Sequence, residues 1–295
     1  MDFRHITFII NPNSNKTEPI LSLINKMMDE IAVDWEIALT KKNISAGAIA
    51  KEWIGKTDLI VVYGGDGCVT EVAAALHHKE LPMAIIPAGT ANVMAKELGI
   101  STDTTEALSI LKAGAHELLD VDMGLMNDQP FLLRVNIGIM ADMVLEADRD
   151  LKNSVGQIAY GITALKTLSS AEPINYKLEI DGQQHDESGV SLTVTNSGHI
   201  GIGDFSLQPG ISITDGLLDV ILMRDAGLMS VLKVAGSTLL QTETEALSHW
   251  TCREIDIRME QPYSFICDDH EETAQHLSIK TLSKAIQILI PSKIS

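Results

Sequence analysis

Short apolar runs and helical stretches alternate along roughly the first 120 residues of the chain. His5 to Ile10, Trp35 to Leu39, Asp58 to Tyr63 and Pro82 to Ile86 are of strand length. Around them, Pro19 to Ile31, Ala46 to Ile54, Val69 to His77, Ala91 to Leu98 and Thr104 to Ala113 repeat apolar residues at helical spacing. This βαβα rhythm predicts an α/β domain. The unbroken run Leu59-Ile60-Val61-Val62 has no polar face, as a strand needs when a parallel sheet is covered on both sides by helices.

Beyond Asp120 the pattern changes. Tyr176 to Ile180 runs into Asp181-Gly182, and Ser191 to Thr195 and Leu217 to Met223 are further strand-length runs between Gly, Asp and Asn turns. This half predicts an antiparallel, strand-rich domain. Helical stretches interrupt it at Gly156 to Leu168 and Leu228 to Leu240, and the tail from Ser278 to Ile290 reads as two short strands. The expected division is 1–122 and 123–283, with 284–295 returning to the first domain.

At 295 residues with 45% hydrophobic positions, the chain supplies apolar surface for two cores. The net charge of -18 makes contact with phosphate backbones unfavourable, so nucleic acid is not an expected partner. Three cysteines, Cys68, Cys252 and Cys267, stand far apart without metal-ligand spacing, which fits a reducing compartment and a cytoplasmic protein. No signal-peptide pattern opens the chain, and no apolar run reaches bilayer length. No transmembrane segment is expected.

The chemistry concentrates at strand ends. Gly64-Gly65-Asp66-Gly67 follows the apolar strand Asp58 to Tyr63 and precedes a helix, the place where open α/β sheets bind ligands. Glycines there let backbone N–H groups approach a phosphate, and the helix start adds its positive dipole end. Asp66 suits Mg²⁺, held directly or through water; the plainer reading is a cap on the next helix. Pro87-Ala88-Gly89-Thr90-Ala91-Asn92 forms a second such loop after the next strand, with Thr90 suited either to a nucleotide contact or to an N-cap. Asn11 to Ser14 and Thr40 with Lys41-Lys42 end the first two strands, and turns and solvated charges account for them equally well. There is no Gly-Lys-Ser/Thr loop, Rossmann glycine spacing, zinc pair or Ser-centred elbow. In the second half, Asp215-Gly216 reads as a turn, Asp120-Val121-Asp122 as a strand edge and Cys267 to Glu272 as an acidic hairpin tip.

Taken in order, these elements resemble the catalytic-domain family of diacylglycerol kinases, sphingosine kinases and bacterial lipid kinases. Asn11-Pro12, Gly64 to Gly67, Gly89-Thr90-Ala91-Asn92, Lys152 to Tyr160 and Asp215-Gly216-Leu217-Leu218-Asp219 carry the likeness. The resemblance implies an NAD kinase- and phosphofructokinase-like α/β nucleotide domain followed by an antiparallel β-sandwich-like lipid domain. It implies ATP and Mg²⁺ as cofactors, with Asn11, Thr40, Gly64, Gly65, Asp66, Gly67, Glu71 and Thr90 contacting nucleotide. A structural cation would sit at Ser212, Asp215 and Leu217. The family's Asp-Gly-Glu base motif maps onto Asp269-His270-Glu271, so Glu271 is the expected proton acceptor beside Asp66. Cys68 stands where Thr is usual, Thr70 where Asn is common, Val93 where Asp is expected, and His270 where the motif has Gly. The implied substrate is a lipid alcohol at a membrane surface, approached peripherally, and a homodimer is compatible with the pattern. A kinase of NAD, or a nucleotide- or lipid-binding protein without phosphotransfer, are the alternative readings.

Overall fold

The structure, a computed structural model, describes residues 3–14, 16–139, 141, 172–199, 210–224 and 247–292. The helical stretches expected at 156–168 and 228–240 lie outside the described residues, as does the segment from Lys152 to Tyr160.

Four parallel strands form the heart of the first domain: β1 (His5–Ile10), β2 (Asp34–Leu39), β3 (Leu59–Gly64) and β4 (Met83–Pro87), in the order β2-β1-β3-β4. All six residues of β3 are buried, so its lack of a polar face has the expected cause. Between the strands run α1 (Ile20–Ile31), α2 (Ala46–Trp53), α3 (Asp66–Leu76), α4 (Val93–Glu97) and α5 (Thr104–Ser109). Helix α2 packs on α3, and α1 on α5. Local chemistry starts two of these helices: the Ser45 side chain accepts from Ala48 N at 3.1 Å, and Asp103 accepts from Glu106 N at 2.9 Å. Helices α4 and α5 are shorter than their apolar spacing predicts.

The second half supplies β5 (His116–Met126), β6 (Gln129–Phe131), β7 (Arg134–Gly138), β8 (Ile174–Ile180), β9 (Gln183–Gly189), β10 (Ser191–Thr195), β11 (Leu218–Met223), β12 (Leu247–Cys252), β13 (Glu254–Cys267) and β14 (His270–Pro291). Strands β12-β11-β10-β7-β13 pair antiparallel in that order. The β8–β9 hairpin turns at Asp181-Gly182, both with positive φ, as a tight two-residue turn requires, and β8 pairs with β13. Strand β13 serves two layers: Ile255 to Met259 near its start pair with β8, and Phe265 to Cys267 pair with β7 after a register shift. The two layers enclose a core that includes Tyr176, Leu178, Leu192, Val220 and Ile257, and the half is β-sandwich-like.

The tail departs from expectation. Where two short strands were predicted, β14 is one strand of 22 residues with an irregularity between Leu282 and Ile286, where Lys284 takes a φ of 51°. Its first part pairs with β13, and its last part lies beside β5 and meets β4 in parallel at Ile288↔Met83. Leu277 and Ile279 therefore enter the second core, while Ile286, Ile288 and Leu289 enter the first. With antiparallel β5 joined through β14, the first domain's sheet is mixed. Among the described residues, no helix is long and apolar enough to cross a membrane.

Candidate active site

The parallel register brings the carboxyl ends of β1, β2, β3 and β4 to one edge, with Ile10 level with Leu39 and Tyr63, and Gly64 level with Pro87. Three of the predicted residues meet there. Asn11 N donates to the Tyr63 carbonyl at 3.0 Å, Thr40 N donates to the Ile10 carbonyl at 3.0 Å, and the Thr40 hydroxyl donates to Asn11 Oδ1 at 3.4 Å. Gly64 lies against Cys68: a Cβ at Gly64 would stand 2.9 Å from the Cys68 Cβ. Burial, and secondarily the Glu71 carboxylate, push the Cys68 thiol above its ordinary range, so it is held neutral.

The two glycine loops touch backbone to backbone. A Cβ on Gly89 would fall 2.5 Å from the Gly65 Cα, and one on Gly65 would fall 3.2 Å from the Gly89 Cα. Here the glycines are needed for close approach. Asn92, in the left-handed region at φ 50°, closes the second loop on itself: its Oδ1 accepts from Gly89 N and its Nδ2 donates to the Gly89 carbonyl, both at 2.9 Å. Gly89→Ala is therefore expected to cost about 1–3 kcal/mol, read as a lowered thermal midpoint, because backbone cannot give way as a side chain can. An unchanged midpoint would show that the loops are free to separate.

Asp66 opens α3 but caps a different helix. Its Oδ1 accepts from Val93 N at 2.6 Å, at the start of α4, so one carboxylate fastens the first loop to the second. The N-cap position of α4 is Asn92; Thr90, the sequence's candidate for it, is exposed on the loop two residues earlier. Burial raises the Asp66 carboxyl above the usual range, opposed by the amides of Asn92, Val93 and Met94 and by the Arg134 guanidinium.

Glu71, one turn along α3 from Gly67, reaches across to α2 and accepts from Gly47 N at 3.3 Å. A groove of about 640 Å³ runs between these two helices and the tip of the β13–β14 hairpin, lined by Glu71 and His270 among others. The tip is tied down by a residue that spacing did not single out. Asp268, at φ 53°, accepts from Leu132 N at 2.9 Å, Leu133 N at 2.9 Å and Arg134 N at 3.0 Å. Asp269, next in the two-residue turn, places its carboxylate against Gly67, where a Cβ would clash with Oδ2. His270 follows with Nε2 3.6 Å from Asp269 Oδ1. Glu271, the expected proton acceptor, is exposed and pairs with Ile266.

Arg134 is the other residue missed. It is 7% exposed, and its guanidinium donates to the His199 carbonyl amid the carboxylates of Asp268, Asp66 and Glu97. Glu97, at the end of α4, accepts from the Ser197 hydroxyl at 2.9 Å and from His199 N at 3.1 Å. Charged groups thus link α4 and the first loop to β7 and the segment after β10. The sequence signal was one cation inside the apolar run Phe131-Leu132-Leu133-Arg134-Val135.

The expected cation turn is held largely by its own side chains. Asp215 Oδ1 accepts from Leu217 N at 3.0 Å, and the Ser212 hydroxyl accepts from Thr214 N at 3.3 Å, so both side chains already serve the turn. Buried Asp122 accepts from Gly216 N at 2.6 Å and from Lys284 N at 2.7 Å, fastening the turn to β14. Among the described residues, no group of three or more His, Cys, Asp or Glu side chains is arranged to hold a metal ion.

Comparison with known proteins agrees with this architecture. The family described as diacylglycerol kinase catalytic domain matches residues 5–124, and the YegS C-terminal NAD kinase beta sandwich-like domain matches residues 134–290. A probable lipid kinase YegS-like protein of Stenotrophomonas maltophilia is 30% identical over 89% of this chain and 87% of its own. A diacylglycerol kinase of Bacillus subtilis is 31% identical over 62% of this chain and 60% of its own. A crystal structure of a putative diacylglycerol kinase from Bacillus anthracis superposes over the whole of both chains with a TM-score of 0.83 at 26% identity.

Proposed function

Since the chain belongs to the diacylglycerol kinase catalytic-domain family and is a lipid kinase, we propose that it moves the γ-phosphate of ATP to the hydroxyl of diacylglycerol or a related lipid alcohol. The observation that supports this reading best is the pair of glycine loops packed on each other at the strand ends, with Asp66 fastening both.

The donor set suits a polyphosphate. Gly65 and Gly67 carry no side chains on either side of Asp66 at the start of α3, so its first N–H groups and positive end are open to close approach by a phosphate. Asn11 and Thr40, joined to each other at the ends of β1 and β2, offer an amide and a hydroxyl to the nucleotide, and exposed Thr90 offers a hydroxyl from the second loop. Glu71 bounds the site on the α2 side. Mg²⁺ entering with ATP would neutralise charge on the transferring phosphoryl group, with Asp66 the residue to hold it, through water, from its position under the loop. Catalysis then rests on positioning and charge neutralisation, and the acceptor hydroxyl must give up its proton beside the hairpin tip. The turn of Ser212, Asp215 and Leu217 is proposed as the seat of a structural cation that supports β14.

Incubation of the purified protein with γ-labelled ATP, Mg²⁺ and extracted lipids is expected to label one lipid species, resolved by chromatography. Label in a dinucleotide product would favour a kinase of NAD, and nucleotide binding without transfer would favour a binding protein; either result would overturn the proposal.

A further inference from the structure

We propose that Glu97 is a positioning residue for phosphate transfer, because it closes a ring of contacts through both domains that holds the β13–β14 hairpin tip against the first glycine loop. The inference rests on the kinase reading above and adds a residue to it. A carboxylate whose side chain is only 13% exposed needs hydrogen-bond donors, and Glu97, the last residue of α4, finds them across the domain boundary. Its Oε2 accepts from the Ser197 hydroxyl at 2.9 Å and from His199 N at 3.1 Å, and His199 Nδ1 stands 2.8 Å from the same oxygen.

The strap that supplies these donors, Thr195 to His199, is itself anchored. The Thr195 hydroxyl donates to the Leu133 carbonyl at 3.2 Å, and Asn196 N donates to it at 2.8 Å. Asn196 Nδ2 donates to the Asp122 carbonyl at 2.7 Å and to the Leu132 carbonyl at 3.1 Å, and the Arg134 guanidinium donates to the His199 carbonyl. Leu132, Leu133 and Arg134 thus carry the strap, and their N–H groups hold Asp268 of the hairpin tip. From there the ring closes. Asp269 abuts Gly67, and Asp66 beside it accepts from Val93 N at the start of α4, which ends in Glu97. Loss of Glu97 leaves the Asp66 cap in place, and with it the nucleotide contacts proposed above, all of which belong to the first domain. What changes is the hold of the second domain on α4. A shift of about 1 Å between reacting groups is enough to slow transfer about 100-fold.

The test pairs kcat for label transfer from γ-labelled ATP to lipid with the nucleotide Kd measured by calorimetry without lipid. Glu97→Ala is expected to lower kcat about 10- to 100-fold with Kd within about threefold of wild type, a split that lost stability alone would not produce. Glu97→Gln keeps an acceptor oxygen for Ser197 and His199 N and should recover most of the rate. Ser197→Ala should slow transfer by a smaller factor, and adding it to Glu97→Ala should slow transfer no further, because the two residues share one contact. Thermal melts check folding; should Glu97→Ala fail to fold, Ser197→Ala decides on the same split. An unchanged kcat in the deciding variant, a Kd that weakens in step with kcat, or losses from Glu97→Ala and Ser197→Ala that multiply would overturn the assignment and leave the kinase reading intact. A wild type that binds nucleotide but labels no lipid would overturn that reading, and this assignment with it.

Discussion

Asp66→Asn is expected to fold and yet lose at least about 100-fold in phosphate transfer, while Asp66→Ala loses both transfer and stability. The two substitutions separate two jobs of one side chain. As a cap, Asp66 needs only an oxygen aimed at Val93 N, 2.6 Å away, and an asparagine carbonyl supplies one. In its proposed role under the first glycine loop it needs the carboxylate's charge, and removing one preorganised electrostatic group from such a site typically costs 100- to 1000-fold. Alanine removes the oxygen too, leaving the start of α4 uncapped and the tie between the two glycine loops cut, at about 1–2 kcal/mol. Thermal melts and single-substrate kinetics on both variants read the two effects separately. Full transfer by Asp66→Asn would reduce Asp66 to a cap and place the metal elsewhere.

That cap marks the boundary of what the sequence disclosed. Periodicity found the α/β half because β3 is fully buried and the helices are amphipathic, both properties of consecutive residues. Glycine loops at strand ends were visible for the same reason. The sequence could suggest that Asp66 caps a helix, but the helix it caps begins at Val93, 27 residues away, and spacing cannot encode that. Arg134 and Asp268 escaped notice because their partners are 65 and 134 to 136 residues distant. The hairpin register escaped for a subtler reason. In Cys267-Asp268-Asp269-His270-Glu271-Glu272 any adjacent polar pair makes an acceptable turn, and only the pairing with β13 and the three amides of Leu132 to Arg134 select Asp268-Asp269. Likewise the bend at Lys284 looks like a strand end until β5 is seen to continue past it.

Those three amides make Asp268 the residue whose loss should cost the fold most. Asp268→Ala strands three N–H donors beside Leu132, Leu133 and Arg134, and even with water reaching some of them the cost is expected to be about 3 kcal/mol, or roughly 5–10 °C in the thermal midpoint. Transfer should fall as well, because the hairpin tip that presents Asp269 to Gly67 is fastened through this side chain. Acidity supplies a second measurement. Burial lifts the Asp268 carboxyl to about 6, overcoming the amides that favour its ionised form. A carboxyl raised in the folded state binds its proton more tightly there than in the unfolded chain. Its stabilising contribution is therefore complete below about pH 4 and is lost as pH rises through 6, on the order of 2–3 kcal/mol. Asp268→Asn keeps an acceptor oxygen but has no proton to lose. It should be milder than the alanine variant at pH 7 and should lack this part of the pH slope. The difference between wild type and Asp268→Asn melts at pH 4.5 and 7.5 isolates the effect from the repulsion that the net charge of -18 adds as other carboxylates ionise. Parallel slopes in the two proteins would mean that Asp268 stays ionised throughout, with its three amides outweighing its burial.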